Sequence, residues 1–202
     1  MPHAYFGRMR VFVAGATGAI GRFLLPALVS AGHEVAGMTR RQDRAAALAA
    51  AGATAVVCDI HDARLADVVS DFEPEVVVHQ VTHLPAAGPA LLPLTVHSLN
   101  RARTDGTDAL IAAARVAGAS RFVAQSTAFW LPHITQKAVD YLEAATLAYP
   151  GVVLRYGYFY GPGTWYAGGP KHKPPVSIEY AAARTVELLT AEPGVYEVTD
   201  PR

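Results

Sequence analysis

Seven short runs along the chain are apolar almost without interruption, at residues 10–14, 34–38, 55–58, 76–78, 121–124, 152–155 and 195–198. They are rich in β-branched residues and lack the alternation of a strand with one wet face, so they read as parallel strands covered on both sides. Between them, apolar residues return at helical spacing, as at Ile20, Leu24, Ala27, Leu28 and Ala31, or Leu110, Ala113, Ala114 and Ala117. Strands alternating with helices predict right-handed βαβ units, hence an α/β fold with a doubly wound parallel sheet and helices on both faces. Gly32, Gly52, Gly118 and Gly151 each stand between a helical stretch and a strand, where a left-handed residue is wanted. Pro26 falls inside the first helix and predicts a kink, because it removes a backbone bond and crowds the preceding turn. Residues 82–97, rich in Pro and Ala, and 161–177, rich in Gly and Pro, resist assignment. Both follow strand C-termini, where such folds place substrate-side loops.

Composition narrows the functional classes. The 202 residues are 51% hydrophobic, enough for a sizeable core, and the length favours one domain spanning 1–202. Lys plus Arg and Asp plus Glu number 17 each, so no basic field recruits nucleic acid or an anionic membrane; a small-molecule substrate is the expected partner. The lone Cys58 has no disulfide or CxxC partner and reads as a core residue of a cytoplasmic protein. The opening MPHAYFGRM lacks the apolar stretch of a secretory signal, with Met9 a second candidate start. No later run reaches the roughly 18 apolar residues that span a bilayer.

The strand VFVA runs directly into GATGAIGR, a G-x-x-G-x-x-G loop of Gly15, Gly18 and Gly21 that opens a helix. Gly15 permits a tight turn off the strand, Gly18 lets backbone N–H groups approach a pyrophosphate, and Gly21 lets the helix pack closely on the sheet. A glycine triplet alone is equally a plain strand-to-helix turn. Here it follows the first strand, one helix separates it from GHEV, and a charged residue ends that second strand, as a Rossmann-type dinucleotide fold requires. At that strand end a carboxylate would bind the ribose 2′-hydroxyl of NAD, whereas an arginine pairs with the 2′-phosphate of NADP. Thr39, Arg40 and Arg41 precede any carboxylate, so Arg40 favours NADP with NAD as the alternative, unless the arginines only open a solvated helix. After the third strand, Asp59 stands where an adenine amino group would lie and Ile60 where the ring would pack, although Asp59 serves almost as well as an N-cap.

Taken together, GATGAIGR, GHEV, CDI, VVVHQ and DGTDALIAAARVAGASRFVAQST resemble the NAD-dependent epimerase/dehydratase family of the short-chain dehydrogenase/reductase superfamily, in its extended or atypical forms, over nearly the whole chain. The resemblance implies an NAD(P)-binding oxidoreductase or epimerase/dehydratase acting on a small carbonyl or hydroxyl compound, sugar derivatives among them. It carries Gly15, Thr17, Gly18, Ala19, Ile20 and Gly21 onto the pyrophosphate loop, and Arg40, Asp59 and Ile60 onto the adenosine end. His79, Gln80, Val81 and Thr82 match the segment whose backbone runs beside the ribose and nicotinamide. Ser126 matches the active-site serine or threonine, though a strand-end cap is as good a reading of its local sequence. RYGYFYGPGTWY resembles the segment that closes over the nicotinamide, implicating Tyr158 and Phe159 there and Tyr160, Trp165 and Tyr166 in a substrate pocket. Aromatics this dense read equally as core. The resemblance also implies a homodimer through the fourth and fifth helices.

The family's catalytic tyrosine, four residues before a lysine, is missing. Lys137 has His133 four residues before it and Tyr141 four after; His133 and Lys137 could exchange protons, but local sequence favours the exposed start of a surface helix. The chain is also shorter than the family near 129–132 and 168–177. Either active-site loops are absent from this sequence or the protein is a shortened member. His79 and His83 straddle a strand end before Pro85, so no metal site is expected, and neither a hydrolase elbow nor a nucleoside triphosphate loop is present. Two functions therefore stand: an enzyme that uses the dinucleotide, and a sensor or regulatory protein of the same fold that binds it without turnover.

Overall fold

The computed structural model describes residues 7–84 and 93–201. Seven parallel strands, β1 (Arg10–Ala14), β2 (Glu34–Thr39), β3 (Thr54–Val57), β4 (Val76–His79), β5 (Arg121–Thr127), β6 (Gly151–Tyr156) and β9 (Gly194–Val198), form one sheet in the order β3-β2-β1-β4-β5-β6-β9. Helices α1 (Gly21–Ser30), α2 (Ala45–Ala50), α3 (Leu65–Phe72), α4 (Pro93–Arg103), α5 (Asp105–Val116), α6 (His133–Ala148) and α7 (Ile178–Leu188) connect them. Ala14 pairs with both Met38 and His79, so the C-terminal ends of β1, β2 and β4 finish level. The chain winds one way from β1 to β3 and the other way from β4 onward, which opens a crevice above β1 and β4.

Strand residues alternate between two cores, which is why these runs look continuously apolar. Val11, Val13, Val123 and Leu154 join Leu24 and Leu28 of α1 and Ile178 of α7 on one face. Phe12, Ala14, Val77, Phe122 and Ala124 join Val69, Leu110 and Leu142 on the other. Each fully buried leucine of this kind contributes about 1.5–3 kcal/mol. Cys58 is buried in the second core, and burial pushes its thiol pKa up.

Helix ends differ from expectation in one place. Gly32, Gly52 and Gly118 are left-handed, with φ of +89°, +83° and +70°. Gly151 is not: it begins β6, and a Cβ there would lie 2.2 Å from the carbonyl oxygen of Thr146, so close approach to the end of α6 is what excludes a side chain. Helix α1 runs on through Pro26, which lies on its exposed side. Two elements fall inside stretches whose sequence shows no clear period: α4, and a two-stranded sheet of β7 (Tyr158–Tyr160) with β8 (Pro175–Ser177). The middle of the 82–97 stretch lies outside the described residues.

Candidate active site at the C-terminal edge of the sheet

The glycine loop rests on the end of β4. Gly15 has φ +86°, and a Cβ on it would sit 2.7 Å from both the carbonyl carbon and oxygen of Gln80. A Cβ on Gly21 would lie 2.4 Å from the Ala16 oxygen. Gly18 differs: a Cβ there meets only the Gly15 oxygen, at 3.1 Å, and is otherwise in open space. Gly18 N–H donates to the Gly15 oxygen at 3.0 Å, whereas the N–H groups of Ala19 and Ile20 make no hydrogen bond among the described residues. Helix α1 has no side-chain cap and no acidic residue in its first turn, leaving its positive end uncompensated. An exposed glycine backbone, free amides and an uncapped helix end suit an anionic diphosphate.

At the second strand end the two arginines separate. Arg41 is paired with Asp43 at 2.6 Å, while Arg40 is exposed and makes no ion pair among the described residues. Asp59 accepts the His61 N–H at 2.9 Å and so caps the turn after β3; the residue at the N-cap of α3 is Arg64. The Ile60 side chain is buried against Gly106 of α5. His83, left-handed with φ +51°, is tethered to Ser98 Oγ at 2.9 Å, and its ring meets that of His61 edge-on at 6.3 Å. Burial holds the His83 pKa below its usual value, Arg40 lowers it further, and Asp59 opposes them. A cationic and imidazole-rich corner thus forms beside Arg40.

The β4 end is built around a buried histidine. His79 Nε2 hydrogen-bonds the Ala102 oxygen at 3.2 Å, and its Nδ1 accepts the Val81 N–H at 3.3 Å, which assigns the proton to Nε2. Burial lowers its pKa to about 4. Gln80 turns its side chain into the core, donating to Tyr156 Oη at 3.4 Å, so its backbone and that of Val81 form the crevice floor.

At the end of β5 the adjacent hydroxyls of Ser126 and Thr127 go to opposite faces. Ser126 lies on the Phe122 and Ala124 face, 2% exposed, and donates to Glu143 Oε1 at 2.5 Å. Glu143 is held by a fork from Arg155, with Nε at 2.9 Å and Nη2 at 2.6 Å. Removing the carboxylate as Glu143→Ala should cost about 2 kcal/mol in urea unfolding. That is below the ~3–5 kcal/mol of a sealed pair because the Arg155 side chain is 41% exposed and stays hydrated. An unchanged midpoint would show that the network carries no stability.

His133 and Lys137 lie exposed on the first turns of α6, with no contact to Ser126 among the described residues. Thr127, which the motif reading passed over, donates to the Phe129 oxygen at 3.0 Å and lines a cavity of about 210 Å³ with Phe129, Trp130, Asp140 and Arg155. Period-two alternation along β5 was the available signal for separating the two hydroxyls. That cavity opens beside α6, β6 and β9, away from the glycine loop. Tyr158 stacks on Phe129 at 3.7 Å and neighbours His172, whereas Phe159 packs on Tyr156 in the core. Tyr160 donates to Asp200, and Tyr166 neighbours His172. Arg22 of α1 donates to the Gly163 oxygen at 3.0 Å, latching the 161–169 loop beside the glycine loop.

Fold and loop define a Rossmann-type α/β protein. A family model described as the NAD dependent epimerase/dehydratase family matches residues 11–147, and the chain belongs to this family. A 3-diazoavenalumate denitrifying reductase of a Streptomyces species is 40% identical over 188 residues, covering 79% of this chain and 59% of that protein. The chain thus spans less than two thirds of that relative. The 188 aligned positions exceed 79% of 202 residues, so the relative carries residues inside the matched stretch that this chain lacks. Among solved structures, Bordetella bronchiseptica WbmG in complex with NAD matches with a TM-score of 0.75 at 20% identity, over 98% of this chain and 74% of that one. Thermus thermophilus UDP-glucose 4-epimerase in complex with NAD matches with 0.74 at 21% identity, over 96% and 78%. Both share the fold. No helix among the described residues is long and apolar enough to cross a membrane.

Proposed function

We propose that this chain is the dinucleotide-binding domain of an oxidoreductase that moves hydride between NADP(H) and a small carbonyl or hydroxyl compound. The observation that carries the reading is Gly18, the loop glycine whose added Cβ would meet only the Gly15 oxygen, at 3.1 Å, where Gly15 and Gly21 would collide with backbone at 2.7 and 2.4 Å. Gly15, Thr17, Gly18, Ala19, Ile20 and Gly21 would hold the diphosphate, and the backbones of Asp59, Ile60, Gln80 and Val81 would flank the adenosine and nicotinamide ribose. Arg40 would take the 2′-phosphate, because Arg41 is already held by Asp43; without that contact the cofactor would be NAD. When bound, the dinucleotide supplies the hydride donor or acceptor. Tyr158 would stand near the ring, with Ser126 or Thr127 orienting the substrate oxygen. The reductase and sugar-nucleotide epimerase among its relatives place sugar derivatives and other small carbonyl compounds in scope. The lone buried Cys58 suits a reducing cytoplasm. Exposed Val116, Tyr141 and Leu147 on α5 and α6 offer a homodimer face, which sedimentation as a monomer would remove.

Calorimetry with NADPH and NADH at fixed ionic strength tests the reading. Gly18→Val should abolish binding with thermal stability retained, and Arg40→Ala should weaken NADPH about tenfold while sparing NADH. If neither nucleotide binds the wild type, the reading fails.

One observation favours the non-catalytic sensor: Ser126 is locked to Glu143, while His133 and Lys137 lie apart from it at the surface. Tight binding without turnover across a carbonyl panel would select the sensor, and turnover lost on Thr127→Ala or Ser126→Ala the enzyme.

A further inference from the structure

Arg103, the last residue of α4, is only 6% exposed, and its Nη1 is buried with no hydrogen-bond partner among the described residues. No carboxylate pairs with it among the described residues. A buried cation without a counter-ion is costly, so folds seldom keep one without a use. Burial alone lowers its pKa, to about 10, which leaves it charged at neutral pH.

Its helix carries a second unmatched polar atom. Asn100, one turn earlier on α4, donates to the Ile134 oxygen at the start of α6 but leaves its own buried Oδ1 unpartnered. His79 feels the Arg103 charge yet cannot accept from it, because Nδ1 serves Val81 and Nε2 serves Ala102. Two unmatched polar atoms of α4, Arg103 Nη1 and Asn100 Oδ1, therefore lie among the described residues where β4 ends and α4 packs on α6. A buried water could bridge Nη1 to Asn100 Oδ1, but it would leave the positive charge uncompensated.

We propose that Arg103 is a carboxylate-binding residue that holds the acidic group of the substrate at the C-terminal end of β4, one residue from where Gln80 supports the glycine loop. The planar guanidinium matches a carboxylate in two parallel hydrogen bonds, a fit that an ammonium cannot reproduce. The substrates are then small carbonyl or hydroxyl acids. The proposal rests on the dinucleotide reading for its setting, and its test is separable from that reading.

The test is calorimetric titration of benzoate, with benzyl alcohol as the uncharged control, into NADP-saturated wild type, Arg103→Met and Arg103→Lys. Benzoate should bind the wild type and benzyl alcohol should not; Arg103→Met should weaken benzoate at least tenfold and Arg103→Lys by less. NADPH affinity should stay the same in both variants, and thermal stability of Arg103→Met should hold or rise, since an unpaired buried charge is gone. Equal binding of benzoate by all three proteins, or no binding by the wild type, overturns the proposal. So does a selective loss of NADPH affinity, which assigns the arginine to the dinucleotide phosphates, or unfolding of both variants, which makes it structural. Failure of the wild type to bind any dinucleotide would instead remove the proposed function.

Discussion

Gly15→Ala is expected to lower stability by about 3 kcal/mol and to abolish dinucleotide binding. The left-handed backbone at φ +86° costs a Cβ-bearing residue roughly 1–2 kcal/mol. The added carbon would also press to 2.7 Å against the Gln80 carbonyl, and overpacking of this kind adds about 1–3 kcal/mol. Neither obstacle can turn aside, because the Gln80 N–H is bonded to the Ala14 oxygen at 2.8 Å and the strand behind it is buried. The loop must lift from β4, carrying Gly18 and the start of α1 with it. Gly18→Ala meets only the Gly15 oxygen, so it should change stability by well under about 1 kcal/mol. Urea unfolding of both variants reads the contrast; equal losses at the two glycines would show that the crevice does not depend on the contact with Gln80.

The fold was legible because burial on both faces leaves a simple mark. All seven strands of the main sheet stand where the apolar runs lie, with ends shifted by at most three residues. What escaped was structure made by tertiary contacts. Helix α4 follows a stretch rich in Pro and Ala, and its own polar residues give no apolar stripe. β7 and β8 are three residues each and pair only with one another, so no periodicity could reveal them. The glycine loop was likewise local, and its contextual signals fell within about 30 residues. The catalytic end was not, because QST offers two hydroxyls and only the pleat decides which faces Glu143. Nothing local distinguished Arg40 from Arg41 either; that depends on Asp43 folding back onto one of them. Arg103 carried no sequence signal at all, since an arginine ending a helix is normally a solvated charge.

Acid should unlatch the same strand end that Gly15 leans on. His79 is buried as the neutral ring, its pKa lowered from 6.5 to about 4 by desolvation, with Arg103 adding repulsion. The unfolded chain therefore takes up the proton more readily than the folded one between these values. Stability is intact above about pH 6.5 and is lost as pH falls toward 4, by about 2 kcal/mol at pH 5 and about 3 kcal/mol at pH 4. His33 and His83 are also lowered by burial and act in the same direction. The carboxylates held down by arginine partners, Asp43, Asp62 and Asp105, titrate below this window, so a decline between pH 7 and pH 5 reports on the histidines. Urea midpoints at pH 7, 6 and 5 measure it, and flat stability would mean that His79 is not held neutral. Protonation of Nδ1 would also take away the acceptor for the Val81 N–H, so the crevice floor itself should loosen. Dinucleotide affinity is then expected to fall with stability over the same interval, linking the buried ring of β4 to the loop that rests on it.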